Sequence, residues 1–141
     1  MGPDLTVMIG GEAGDGIRQA GLLMDKTFVR GGFHVFSVFD YQSLIRGGHN
    51  YHLVRVSVRP VRAPRRWVDL LIALNEDTIE RHAGELTTGS ALLYDSDSVK
   101  DLEVVGPAKP LPMPLRTMAR EVGGPLIVRN SAALGAMVYL L

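Results

Sequence analysis

Val7-Met-Ile-Gly-Gly-Glu-Ala-Gly-Asp-Gly-Ile17 runs from an apolar segment through a glycine-rich break into residues with helical spacing. Leu5 to Ile9 reads as a buried strand that stops at Gly10-Gly11. From Ile17 to Arg30, the residues Ile17, Ala20, Gly21, Met24 and Phe28 share one helical face, while Arg18, Asp25 and Arg30 lie elsewhere. Gly31-Gly32 ends that helix, and His34 to Phe39 reads as a second strand. A strand, a glycine loop, a helix and a strand in that order predict a parallel βαβ unit, a Rossmann-like start.

Outward from this unit, Asp40 to Asn50 is polar and glycine-broken, which predicts a loop. Residues 51–58 then alternate, with Val54, Val56 and Val58 on one face and Arg55 and Ser57 on the other. That alternation predicts a strand that is antiparallel or near an edge, and so a mixed sheet. The basic, proline-punctuated run from Arg59 to Arg66 reads as a surface connection, and less readily as a patch for an acidic partner. Val68 to Leu74 is apolar enough for a central strand. The helix expected next has Asp77-Thr-Ile-Glu80 as a capping box.

Further strands are expected at Ser90 to Tyr94 and, weakly, near Glu103 to Val105, followed by a proline-rich loop from Pro107 to Pro114. A short helix from Leu115 to Val122 and an apolar one from Ser131 to Leu141, capped by Asn130 or Ser131, complete the chain. The expected architecture is a three-layer α/β/α domain on a mixed, largely parallel sheet, one domain over residues 1–141. The last helix has no polar tail, so either its apolar face packs on a neighbour or, the favoured expectation, the natural chain continues past Leu141.

The composition narrows function by exclusion. A chain of 141 residues, 46% hydrophobic and 21% charged, is long enough for a real core. Its 15 basic and 15 acidic side chains balance, unlike those of a nucleic-acid binder. With no cysteine it has no disulfide, no thiolate iron–sulfur ligand and no cysteine nucleophile. No run matches a membrane span or a signal peptide, so a cytoplasmic location is the default expectation.

Two segments are candidates for chemistry. The loop Gly10 to Gly16 joins a strand to a helix N-terminus, where free N–H groups and the helix dipole attract anions and glycine admits a phosphate closely. The alternative is a tight turn using glycine for its backbone angles alone. Gly11, Gly14 and Gly16 give G-x-x-G-x-G, the reverse of the dinucleotide order, although Asp40 stands where a ribose-binding acid would. Gly14-Asp15-Gly16 is similar to the start of a thiamine-diphosphate magnesium motif, but Asn50 is a poor match for its downstream asparagine. No lysine completes a P-loop.

In the second segment, Ser43-Leu-Ile-Arg-Gly-Gly-His-Asn50, Arg46 beside Gly47 and Gly48 offers a guanidinium to a phosphate or carboxylate, or pairs within the loop. His49 and His52 have no metal-pair spacing and read as hydrogen-bonding residues. No catalytic residue and no metal ligand is expected.

Taken together, Val7 to Ile17, Ala20-Gly21, Gly32 and Tyr41 to Asn50 resemble the gamma domain of 2-oxoacid:ferredoxin oxidoreductases. Val54 to Ser57, Asp69 to Leu74, Tyr94-Asp95 and Asn130 to Gly135 follow its later pattern in order. The Ile-Arg-Gly-Gly-His-Asn form looks closest to enzymes in which this domain precedes the alpha domain in one chain.

The resemblance implies a non-redox component of an enzyme that decarboxylates a 2-oxoacid such as pyruvate or 2-oxoglutarate. Thiamine diphosphate, magnesium and iron–sulfur clusters would lie on partner alpha and beta domains, ferredoxin would take the electrons, and coenzyme A the acyl group. The gamma domain would support assembly and cover the coenzyme A side, with Gly11, Gly14, Asp15, Gly16, Arg46, Gly47 and Gly48 as candidate binding residues. The competing readings are a stand-alone nucleotide-binding domain using Asp40 and a structural interaction module.

Overall fold

The computed structural model describes residues 3–42, 47–102 and 106–141. Six strands and four helices are β1 (Asp4–Glu12), α1 (Ile17–Arg30), β2 (His34–Asp40), β3 (His49–Ser57), β4 (Val68–Ala73), α2 (Glu76–His82), β5 (Leu86–Asp95), β6 (Lys109–Met113), α3 (Leu115–Glu121) and α4 (Arg129–Leu140). The weak strand expected near Glu103 to Val105 lies outside the described residues.

One mixed sheet has the order β2-β3-β1-β4-β5-β6. β1, β4, β5 and β6 are parallel neighbours, and β3 is antiparallel to both β1 and β2. The expected βαβ unit is therefore present in direction, since β1 and β2 both oppose β3, but β3 is inserted between them. The alternation in β3 signals that insertion. Val54 and Val56 enter the core, while Val58, expected on the same face, lies past the strand's end and is exposed.

Apolar side chains leave the sheet on both faces. On the first, Val7, Ile9, Val54, Val56, Leu70, Ile72 and Leu93 pack under α1, α3 and α4 through Ile17, Met24, Leu115, Ala133 and Met137. On the second, Met8, Leu53, Leu71, Leu92 and Tyr94 pack with Ile79 of α2 and with loop residues Val99 and Ala108. The three layers are thus unequal, since among the described residues the short α2 is the one α-helix on the second face.

Several boundaries differ from expectation for identifiable reasons. β6 runs through the stretch read as a proline loop. Met113 points its carbonyl inward, accepting from Ser96 N–H at 2.9 Å, so Pro110 and Pro112 turn their missing N–H groups to the free edge. β5 begins at Leu86, and the register shift opposite Val68 and Leu70 absorbs the Thr87–Ser90 turn, where Ser90 Oγ donates to the Val68 carbonyl at 2.6 Å.

The cap of α2 is Asn75, whose side chain accepts from Thr78 N–H at 3.0 Å; Asp77 pairs with Arg81 instead. A 3-10 turn at Leu126–Val128 leads directly into α4, so neither Asn130 nor Ser131 caps it. Among the described residues no helix is long and apolar enough to cross a membrane.

Candidate functional site

β1 and β4 are parallel neighbours whose following helices leave to opposite faces, α1 to the first and α2 to the second. Such a switch point opens a crevice at the strands' carboxyl ends. Here the loop from Ala13 to Gly16 leaves β1 toward α1, and the cleft beside it is walled by the ends of β2 and β3 rather than by β4. Gly14 (φ 98°) and Gly16 (φ 76°) hold left-handed backbone that L side chains resist. The turn is tied by Asp15 N–H to the Glu12 carbonyl at 3.0 Å and by Glu12 N–H to Asp15 Oδ2 at 2.8 Å.

Gly16 caps α1 without a side chain, and the first turn of that helix holds no acidic residue. Ala20 N–H donates to the Gly16 carbonyl, so Ile17, Arg18 and Gln19 start the helix with N–H groups that have no helical acceptor. A cleft of about 460 Å³ opens beside them, bounded by Gly14, Gly16, Arg18, Phe39, Tyr41 and Asn50. A second hollow of about 300 Å³ shares Arg18, Phe39 and Tyr41 and reaches His52. Phe39 and Tyr41 stack with centroids 5.4 Å apart, giving this wall an aromatic face.

The two glycine segments meet here. Ala13 N–H donates to the Gly48 carbonyl at 2.8 Å, and Gly11 and Glu12 pair with Asn50 and His49. Gly47 and Gly48 therefore run beside the glycine loop, while Arg46 lies outside the described residues. Gly14 and Gly16 line the cleft. Gly11 is buried, with no room for a side chain because a Cβ would stand 2.7 Å from Asp15 Oδ2. The Asp15 carboxylate is held by Glu12 N–H and by Arg129 Nη2 at 2.7 Å.

Arg129 is the residue that sequence reasoning missed. Its side chain is 1% exposed and bridges Asp15 to Asp95, which is fully buried. Asn130, next to it, donates to the Asp15 carbonyl at 2.8 Å. The start of α4 thereby holds the glycine loop. An arginine opening an apolar helix was the available signal.

His49 and His52 point to opposite faces of β3. His52 lies under Gly21 and meets Asp25 Oδ1 at 3.0 Å, the same oxygen that accepts from Ser37 Oγ at 2.7 Å. Serine and histidine thus share one acceptor rather than each other, which is no nucleophile–base arrangement. His49 Nε2 lies 2.8 Å from His82 Nε2, whose other nitrogen is 3.1 Å from Glu85. Burial, then the neighbouring His82, hold the His49 imidazole below its ordinary value, outweighing Asp77 at 3.7 Å. No group of three metal-ligating side chains occurs among the described residues.

Asp40 stands on the face opposite the cleft, near Tyr51, whose hydroxyl it helps hold protonated after burial's larger effect. With β3 between β1 and β2, it is not placed as a ribose-binding acid beside β1.

The model of the family described as pyruvate ferredoxin/flavodoxin oxidoreductase matches residues 6–141. An Aeropyrum pernix 2-oxoacid:ferredoxin oxidoreductase subunit alpha is 29% identical over 133 residues, covering 93% of this chain and 21% of that subunit. A 2-oxoglutarate synthase subunit KorC from Archaeoglobus fulgidus is 28% identical over 139 residues, 98% of this chain and 71% of the relative.

Among solved structures, 2-oxoglutarate:ferredoxin oxidoreductase from Magnetococcus marinus, with 2-oxoglutarate, coenzyme A and succinyl-CoA bound, is similar at a TM-score of 0.86 and 26% identity. The match covers 95% of this chain and 24% of that one. The keto/oxoacid ferredoxin oxidoreductase gamma subunit from Geobacter sulfurreducens is similar at 0.79 and 28% identity, covering 95% and 75%. This chain therefore spans about a fifth of the subunit alpha relative and most of the separate gamma subunit. On the strength of the family match from residue 6 to the last, with its glycine loops at the sheet's switch point, the chain belongs to the pyruvate ferredoxin/flavodoxin oxidoreductase family.

Proposed function

We propose that this chain is the non-redox gamma component of a cytoplasmic, thiamine-dependent 2-oxoacid:ferredoxin oxidoreductase, and that its cleft receives phosphate of coenzyme A. The chain has no cysteine for an iron–sulfur cluster, and its Asp15 carboxylate is committed to Glu12 N–H and Arg129 rather than open to magnesium. These residues do not fit the redox cofactors or thiamine diphosphate, so those groups belong to partner alpha and beta domains.

The observation that carries the reading is the junction of the two glycine segments beside α1, through Ala13 N–H and the Gly48 carbonyl. The open N–H groups of Ile17, Arg18 and Gln19 supply donors and a positive dipole end, worth up to about 2 kcal/mol to an anion in a partly buried site. Gly14 and Gly16 let a phosphate approach, and Arg46, one residue before Gly47, adds fixed positive charge. Gly11 and Asp15 act one step back, by shaping the loop. When bound, coenzyme A supplies the thiol that takes the acyl group; this chain's residues bind and orient its phosphate end.

Arg46→Ala in the complete enzyme tests the reading. A hydrogen bond to a charged group contributes about 1.5–3 kcal/mol, so coenzyme A affinity should fall roughly ten- to a hundredfold. Decarboxylation measured without coenzyme A should be unchanged. A variant that assembles normally with unaltered coenzyme A dependence would overturn the phosphate role. Loss of assembly or heat stability with affinity intact would assign Arg46 to a carboxylate partner instead.

A further inference from the structure

We propose that the free edge of β2 pairs with β2 of a second copy of this chain, antiparallel and centred on Ser37. The inference is independent of the coenzyme A reading. Its starting point is the direction in which each backbone group points. Thr6 N–H donates to Asp69 of β4, and Leu74 N–H donates to the Gly10 carbonyl, so the even residues of β1 turn toward β4. Leu5, Val7 and Ile9 therefore turn toward β3 and engage Val56, Val54 and His52. The intervening β3 residues Arg55 and Leu53 then face β2 and engage Phe36 and Val38.

That leaves Val35, Ser37 and Phe39 with N–H and C=O groups directed away from the sheet. None of these backbone groups has a partner among the described residues. The opposite edge is protected, because Pro110 and Pro112 remove the outward donors of β6. β2 has no proline and no bulge, and its sequence His-Val-Phe-Ser-Val-Phe-Asp suits a strand throughout.

The occupant follows from the same seven residues, which are complementary to themselves. With Ser37 opposite Ser37 of the second copy, Val35 faces Phe39 and Phe39 faces Val35, so all three outward residues exchange both backbone bonds. In the alternate positions Phe36 faces Val38 and His34 faces Asp40, where side chains approach more closely. His34 and Asp40 are both exposed in the single copy. A shift of two residues in either direction loses one bonded pair and breaks the His34–Asp40 match.

Sedimentation equilibrium of the full native protein and three variants tests the proposal. His34→Asp sets like charges opposite each other twice and should weaken association roughly three- to thirtyfold. Adding Asp40→Lys, in H34D/D40K, should restore it. Val35→Pro removes a donor that the single copy does not use, so the fold should persist while association weakens about tenfold or more. Amide exchange should show Val35, Ser37 and Phe39 gaining protection with concentration while Phe36 and Val38 stay protected throughout. A protein monomeric at about 100 µM, or an assembly indifferent to both H34D and V35P, overturns the proposal.

Discussion

The guanidinium of Arg129 lies 3.3 Å from the carboxylate of Asp95, with the two side chains 1% and 0% exposed. Asp95 also accepts from Leu115 N–H at 3.1 Å and from Ser98 Oγ at 2.9 Å. Through Asp15, the same arginine reaches the glycine loop. One buried cation thus ties the end of β5, the starts of α3 and α4, and the lip of the cleft. Removing Arg129 leaves the buried Asp95 only the half-exposed Arg116 at 3.5 Å as a counter-charge, and breaking a buried pair of this kind costs about 3–5 kcal/mol. Arg129→Met should lose that much in urea unfolding; a loss under about 1 kcal/mol would show that the bridge contributes little.

Gly21 sits over the His52 ring, so that a Cβ there would overlap the imidazole. Glycine to alanine in a helix ordinarily gains about 0.5–1 kcal/mol. Here the clash decides the sign, and Gly21→Ala should cost roughly 1–3 kcal/mol, as overpacking does. The double variant G21A/H52A should lose less than the two single losses summed, because the alanine at 52 vacates the space. Additive losses in thermal unfolding would show that the ring is not what excludes a side chain at 21.

Most of the sheet was legible because each strand's period matches its burial. Val68 to Ala73 is apolar except for Asp69 near its start and is covered on both faces; β3 alternates and carries its polar residues outward or into specific pairs. β6 was hidden because Pro110 and Pro112 read as a breaker until a free edge is known to receive them. The cleft was legible from its glycines, whose backbone need is local. Arg129 and Asp95 were not, since 34 residues separate them and nothing local signals the pairing. The same holds for His49 and His82, 33 apart.

The His49–His82 contact makes stability depend on pH in a defined direction. Burial and His82 lower the folded-state value of His49 below its ordinary 6.5. Above about 6.5 the imidazole is neutral in both states and the pH slope from this group vanishes. Below it the unfolded chain takes up the proton more readily, so stability falls until the lowered folded value is passed. His49→Gln should flatten this loss between about pH 6.5 and 5, read as the change in Tm over that range. An unchanged slope would assign the acid sensitivity to other groups.

The cleft itself is tested most cleanly at Gly14. Its φ of 98° strains any other residue, yet a Cβ there would meet nothing within 4 Å. Gly14→Ala should therefore cost only the backbone term, about 1–2 kcal/mol, and still fold. The added methyl stands at the wall of the cleft, where the proposed phosphate must approach. Gly32 supplies the control, because its φ is 85°, its surroundings are equally open, and it lies at the far end of α1. In the complete enzyme G14A should raise the KM for coenzyme A several-fold, with kcat at saturation nearly unchanged. G32A should lower the Tm by a similar amount and leave that KM alone. Equal effects of the two variants on KM would reduce the glycine loop to a turn that needs glycine for its angles and nothing more.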